Sequence, residues 1–124
     1  MPRFLGCVVL LVLVSGCVTP VIPLPPPLQP TIIVDPAKGE VVFEGPLSAP
    51  HQDALFYIFN SKNGKGVIIQ AAHDGSYVAD PLPAADGDEV NLWASRWGSD
   101  SPSSVLCLMV RYTSATDGKL VDCP

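Results

Sequence analysis

The 124-residue chain reads as an all-β protein, a small sandwich of seven short strands over residues 31–124. Three observations predict this. No stretch after residue 30 keeps an apolar face at 3.6-residue spacing long enough for a helix. Short apolar runs recur instead, each bounded by Gly, Pro, Asn or Asp. The chain's 14 Pro and 10 Gly supply many of those boundaries, because Pro removes a backbone donor and Gly accepts positive φ.

Strands are expected at 40–44, 54–60, 66–72, 76–79, 89–97, 105–112 and 119–123, the number a small sandwich needs. Asn63-Gly64 separates the second from the third, and His73-Asp74-Gly75 the third from the fourth; both are turn sequences suited to positive φ. Pro81 and Pro83 exclude a central strand before the fifth. In the fifth, Val90, Leu92 and Ala94 alternate with Asn91, Trp93, Ser95 and Trp97, the pattern of a sheet with one packed face. In the sixth, Leu106, Leu108 and Val110 form the inward set.

The last two strands invite a register. If Tyr112 pairs with Gly118, Cys107 lies opposite Cys123 on one face, within reach of a disulfide. Neither cysteine has a CxxC spacing or a neighbouring base, so a structural bridge is expected rather than a metal or nucleophilic pair. It closes a segment of 17 residues, worth about 3 kcal/mol by loop entropy.

Length and charge exclude several classes of function. One ordinary domain is the most this length supports, which disfavours a deep two-lobed cleft. Seven basic and 12 acidic residues leave a formal charge of −5, so no basic patch is expected for nucleic acid or anionic lipid. The longest apolar run, 4–14, is too short for a spanning helix.

The amino terminus has the layout of an export signal over residues 1–16: Arg3, an apolar stretch, then small residues before Cys17. Cys7 would leave with it. Val14, Ser15, Gly16 and Cys17 together resemble a bacterial lipobox. That resemblance implies cleavage before Cys17, acylation of its sulfur and amine, and attachment to the lipid bilayer through two or three acyl chains. Val18 stands where some inner-membrane lipoproteins carry a retaining Asp, so the resemblance implies the outer membrane. Removal of Arg3 with the signal would leave six basic against twelve acidic side chains, a charge of −6. Residues 17–30 then read as a lipidated cysteine and tether, with Pro20, Pro23, Pro25, Pro26, Pro27 and Pro30. Such a stretch favours polyproline II and resists collapse, with a reach on the order of 40 Å at roughly 3 Å per residue.

The stretch 66–105 resembles bacterial immunoglobulin-like and carboxypeptidase-regulatory-like sandwiches. Asp74, Gly75 and Tyr77 match one turn of that pattern, Gly87 and Asp88 a second, and Gly98 and Ser101 the last. The resemblance implies an immunoglobulin-like sandwich used as spacer, adhesion or binding module, with no shared catalytic residue.

Reactive chemistry does not assemble along the chain. Asp86, Asp88 and Glu89, with Asp80 nearby, are expected in a solvated loop, since they lack the spacing of a calcium loop. His51 and His73 read as surface turn residues rather than zinc ligands. Ser103 and Ser104 read as strand-start residues, and no phosphate loop or nucleophile elbow is present. No catalytic residue, metal or cofactor is therefore expected. Trp93 and Trp97, four apart in one expected strand, would share a face and with Tyr77 could form a stacking platform for a sugar or peptide. The alternative is that the tryptophans cover the sandwich. The reading is a membrane-anchored structural or protein-interaction module of the bacterial envelope, contacting an envelope protein or cell-wall polymer. Carbohydrate or peptidoglycan binding through Trp93 and Trp97 is the alternative, and a small periplasmic hydrolase the less favoured third.

Overall fold

The computed structural model describes residues 23–99 and 101–124. The export signal with Cys7, the lipidation residue Cys17 and the first part of the tether lie outside the described residues. The described chain forms β1 (Thr31–Asp35), β2 (Glu40–Gly45), a 3-10 turn (Ala49–His51), β3 (Leu55–Asn60), β4 (Lys65–Gln70), β5 (Tyr77–Val78), β6 (Leu82–Pro83), β7 (Glu89–Ser95), β8 (Leu106–Tyr112) and β9 (Gly118–Asp122). These strands make two antiparallel sheets, one in the order β4-β3-β7-β8-β9, the other β1-β2-β5 with β6 also paired to β2. The fold is all-β, a sandwich-like arrangement around one core.

The described strands number nine, not the expected seven. The first addition is β1, a full partner of β2 from Thr31↔Glu44 to Asp35↔Glu40. Its alternate residues Ile32 and Val34 are buried. The other is β6, two residues long and at the margin of its sheet. Pro83 is tolerated there because an edge residue need not donate to a ladder. The fifth expected strand stops at Ser95 rather than 97. Beyond it Ser103 takes over at Ala94, giving its N–H to the carbonyl (2.7 Å) and receiving the Ala94 N–H on Oγ (2.9 Å).

The inward sets follow the period-2 pattern. Val90, Leu92 and Ala94 of β7 are buried, as are Leu108 and Val110 of β8, with Leu106 partly so. They meet Phe56 and Ile58 of β3 and, from the other sheet, Val41, Phe43 and Leu82 in one cluster. The β8–β9 register has Tyr112 opposite Gly118 and Leu108 opposite Asp122, as the sequence suggested. Cys107 and Cys123 are joined in a disulfide with a Cα–Cα separation of 5.6 Å.

The expected tether differs over its described part. Leu24 is buried in the core cluster, and Pro27 and Pro30 are buried as well. His51 Nε2 bonds the Pro25 carbonyl at 2.9 Å, and Gln29 Nε2 donates to the Leu120 carbonyl at 3.0 Å. A proline-rich segment cannot fold on itself, but the Pro25 carbonyl bonds a side chain and Leu24, Pro27 and Pro30 bury apolar area, while Leu28 stays exposed. Residues 24–30 are accordingly a strap laid on the sandwich instead of a free spacer.

Reduction of the Cys107–Cys123 bridge should lower stability by about 3 kcal/mol, read as a fall in the denaturant midpoint that added metal does not reverse. Nonreducing peptide mapping should find those two cysteines linked.

Candidate functional site

Because β3 lies inside its sheet and is apolar at nearly every position, it places large side chains on both faces. Phe56 and Ile58 point into the core while Leu55, Tyr57 and Phe59 point outward. The registers extend this outward set across the sheet: Tyr57 lies opposite Ile68 on β4 and opposite Trp93 on β7. The Tyr57 and Trp93 rings stack with centroids 5.4 Å apart and planes 1° from parallel, a cross-strand aromatic pair. Ile68 is 63% exposed, and Phe59 sits at the boundary of exposure.

Gly66 interrupts this face. It stands opposite Phe59, whose ring comes within 3.3 Å of where a Cβ would lie. The missing side chain leaves a shallow groove of about 280 Å³ bordered by Tyr57, Phe59, Gly66, Ile68 and Trp93. A second hollow of similar size lies on the other flank of the pair, lined by Tyr57, Trp93, Ser95, Ser99 and Pro102. Ser95 Oγ donates to the Tyr57 hydroxyl at 3.4 Å. The result is an apolar row with polar groups at one end.

Of the residues singled out in the sequence, Trp93 belongs to this face. Trp97 lies past the end of β7 in a turn and is 74% exposed. Tyr77 is buried in the other sheet, its ring 4.3 Å from that of Phe56. The three do not converge. The sequence reading missed Tyr57, Phe59 and Ile68, although a wholly apolar run in an antiparallel sheet must turn alternate side chains outward.

The two histidines also separate. His51 is buried rather than at the surface, with Nδ1 2.5 Å from Ser48 Oγ and its ring 5.4 Å from Phe56. Ser48 and His51 have the composition of a nucleophile and base, but Nε2 is engaged by the Pro25 carbonyl rather than a carboxylate. Gly75, at φ 84°, passes so close that a Cβ there would meet the Ser48 carbonyl oxygen at 1.9 Å. Both side chains are buried. His73 is exposed, with Nδ1 3.3 Å from Asp53 Oδ2.

The carboxylates expected in a solvated loop are partly structural. Asp88 is buried, its Oδ2 accepting from Asn60 Nδ2 at 3.0 Å and from the Ala85 N–H at 2.9 Å. Asn60, fully buried, also donates to the Pro83 carbonyl and accepts from the Lys62 N–H. Asp86 Oδ1 accepts the Tyr112 N–H at 2.8 Å. Glu89, Cys107 and Cys123 bring ligand-type atoms within 4.8 Å of one another, yet both sulfurs are committed to the disulfide. Ser103 Oγ donates to the Ser104 carbonyl while accepting from Ala94, a structural role.

Comparison of the chain with protein-family models, curated proteins and solved structures finds no match.

Two phenols carry the alkaline behaviour of this framework. Burial pushes the Tyr77 phenol far above its usual range, and its hydroxyl has no hydrogen-bond partner. Burial raises that of Tyr112 too, with the carboxylates of Asp88, Asp86 and Asp35 adding, and its hydroxyl donates to the Ala84 carbonyl. Raised phenol pKa values mean that the unfolded chain releases these protons first. The associated stability is complete below about pH 10, the ordinary tyrosine value, and is lost as pH climbs through the folded-state values. At pH 7 Tyr77→Phe should be neutral or stabilising by up to about 1 kcal/mol, whereas Tyr112→Phe should cost about 1 kcal/mol through its lost hydrogen bond. Above pH 10 Tyr77→Phe should lose stability more slowly than the parent in denaturant titrations.

Proposed function

We propose that the chain is a lipid-anchored interaction module of the bacterial cell envelope, held to the bilayer by acylated Cys17 and binding a protein partner through the outer face of its five-stranded sheet. The fold reading that accompanies it is an immunoglobulin-like or carboxypeptidase-regulatory-like sandwich. The observation that carries the proposal is the row Ile68–Tyr57–Trp93, large side chains in register across three strands on the outer face of the sheet, flanked at the Trp93 end by Ser99 and Pro102. Ile68 and Phe59 are exposed and the Tyr57 and Trp93 rings half-buried, and apolar groups clustered in this way beside a groove mark contact surfaces.

The geometry favours a protein over a sugar. Tyr57 and Trp93 turn ring faces toward each other, so the pair is not one flat plate for a pyranose. The groove beside Gly66 suits a protruding apolar side chain instead. Carbohydrate or peptidoglycan binding draws on the exposure of Trp97 and becomes the reading if glycan binding is found and lost in Trp97→Ala. The anchor is short in this arrangement. With residues 24–30 docked on the body, six residues, 18–23, separate Cys17 from it, a span of about 20 Å when fully extended. The acidic body would lie close to the membrane, its orientation set by where the strap leaves the sandwich.

Metabolic labelling with a palmitate analogue should be lost in Cys17→Ala, and persistent labelling would refute the anchor. Cross-linking in native envelopes should recover one reproducible protein partner with the parent and with Val78→Ala, and lose it at least tenfold in Ile68→Asp and Trp93→Ala. Recovery unaffected by both face variants would exclude this surface.

A further inference from the structure

The five-stranded sheet ends at β4, and this edge differs from the others in the molecule. Of the other sheet's margins, β5 and β6 are two residues each, too short to template a partner. β1 and β9 guard one another: Ile33 bridges Asp117, and Gln29 of the strap donates to the Leu120 carbonyl. By contrast β4 runs six residues, KGVIIQ, without Pro and in unbroken register with β3. Natural edges usually carry a bulge, a proline, several charges or a cover. Lys65 is the one charged residue here.

The direction of the free backbone groups follows from two hydrogen bonds. The Ala71 N–H donates to the Ala54 carbonyl, which continues the β3–β4 register. Bonded pairs alternate along an antiparallel ladder, so residues 65, 67 and 69 turn their N–H and C=O toward β3. The Ser61 N–H donates to the Glu89 carbonyl in the β3–β7 register, which places the odd-numbered residues of β3 toward β7 and agrees with that phase. Gly66, Ile68 and Gln70 therefore present their N–H and C=O groups away from the sheet, and among the described residues no strand pairs with them, although β5 and β6 of the other sheet pass near β4.

We propose that β4 pairs edge to edge with β4 of a second copy of this chain, antiparallel and centred on Ile68. The three outward residues are spaced evenly about Ile68, so a two-fold axis at that position satisfies all of them. Gly66 faces the partner's Gln70, Ile68 faces the partner's Ile68, and Gln70 faces the partner's Gly66. Each pair exchanges two backbone hydrogen bonds, and a shift of one residue would set bonded groups against non-bonded ones. Lys65 falls opposite the partner's Ala71, so the two lysines sit at opposite ends and do not repel. The interaction is isologous and closes at two copies. It would join two five-stranded sheets into one and run the apolar row continuously from Trp93 through Ile68 to the partner's Trp93, doubling the contact face. The pairing goes beyond the proposed envelope role and does not depend on the identity of the partner bound there.

The test uses the full chain purified in detergent with its native disulfide intact. Ile68 and Val78 are equally exposed at 63%, on different sheets, so Ile68→Cys and Val78→Cys form a matched pair. Residues facing across a bonded pair lie about 5.5 Å apart at Cα, within disulfide range. Ile68→Cys should give at least tenfold more covalent dimer on mild oxidation than Val78→Cys. In sedimentation the parent should be a dimer and Ile68→Pro a monomer, since that proline removes an edge donor and leaves the β3 ladder intact. A cooperative denaturant transition like that of the parent reports that each variant remains folded. A parent that sediments as a monomer at all concentrations, or equal cross-linking at positions 68 and 78, overturns the pairing without touching the partner-capture result.

Discussion

The pairing of β3 with β7 is the constraint on which most of this structure depends. Strand residues alternate between faces, so a single register decides two surfaces at once. Phe56 opposite Ala94 and Ile58 opposite Leu92 fill the interior, while Tyr57 opposite Trp93 and Phe59 opposite Asn91 form the exterior. A slip of one residue would invert one strand against the other, burying either the tyrosine or the tryptophan and driving either Phe56 and Ile58 or Leu92 and Ala94 into water. The same Phe56 touches His51 and Tyr77. Through it the central strand supports the opposite sheet and the turn that holds the amino-terminal strap.

Three buried polar side chains, Asn60, Asp88 and His51, complete the frame through bonds to backbone. Asn60 ends β3 by bonding Pro83, Asp88 and Lys62, and the Asp88 carbonyl in turn accepts the Val110 N–H. At the other end of β3, His51 links Ser48 to Pro25. An unmet polar group in the interior costs more than a made bond returns. These contacts therefore hold chain segments in place, and they occupy several side chains that a catalytic reading would have wanted.

The two sheets differ in what they present to solvent. The strands of the smaller sheet carry Asp35, Glu40 and Glu44 and no basic residue. Those of the larger carry Lys65, Arg111 and Lys119 against Glu89 and Asp122. The overall charge of −5 is thus unevenly spread, and the apolar row lies on the less acidic side.

Much of the framework was legible in the chain itself. Alternation in VNLWAS and in LCLMV determined which residues of β7 and β8 face inward, because side-chain direction in a strand is a local property. The spacing between Tyr112 and Gly118 determined the last hairpin, and with it the cysteine bridge. Other features depended on partners distant in sequence. β1 and β6 exist because β2 offers a ladder to both. Residues 24–30 pack down because His51 and Leu120 supply bonding groups where the prolines cannot bond themselves. Tyr77, Asp88 and His51 look like surface residues in a turn-rich sequence, yet only the closing of one sheet over another decides whether a turn lies in water or in the core. Periodicity reports which side chains share a face; which face finds cover is settled by the rest of the molecule, since burial is a relation between elements and not a property of any one of them.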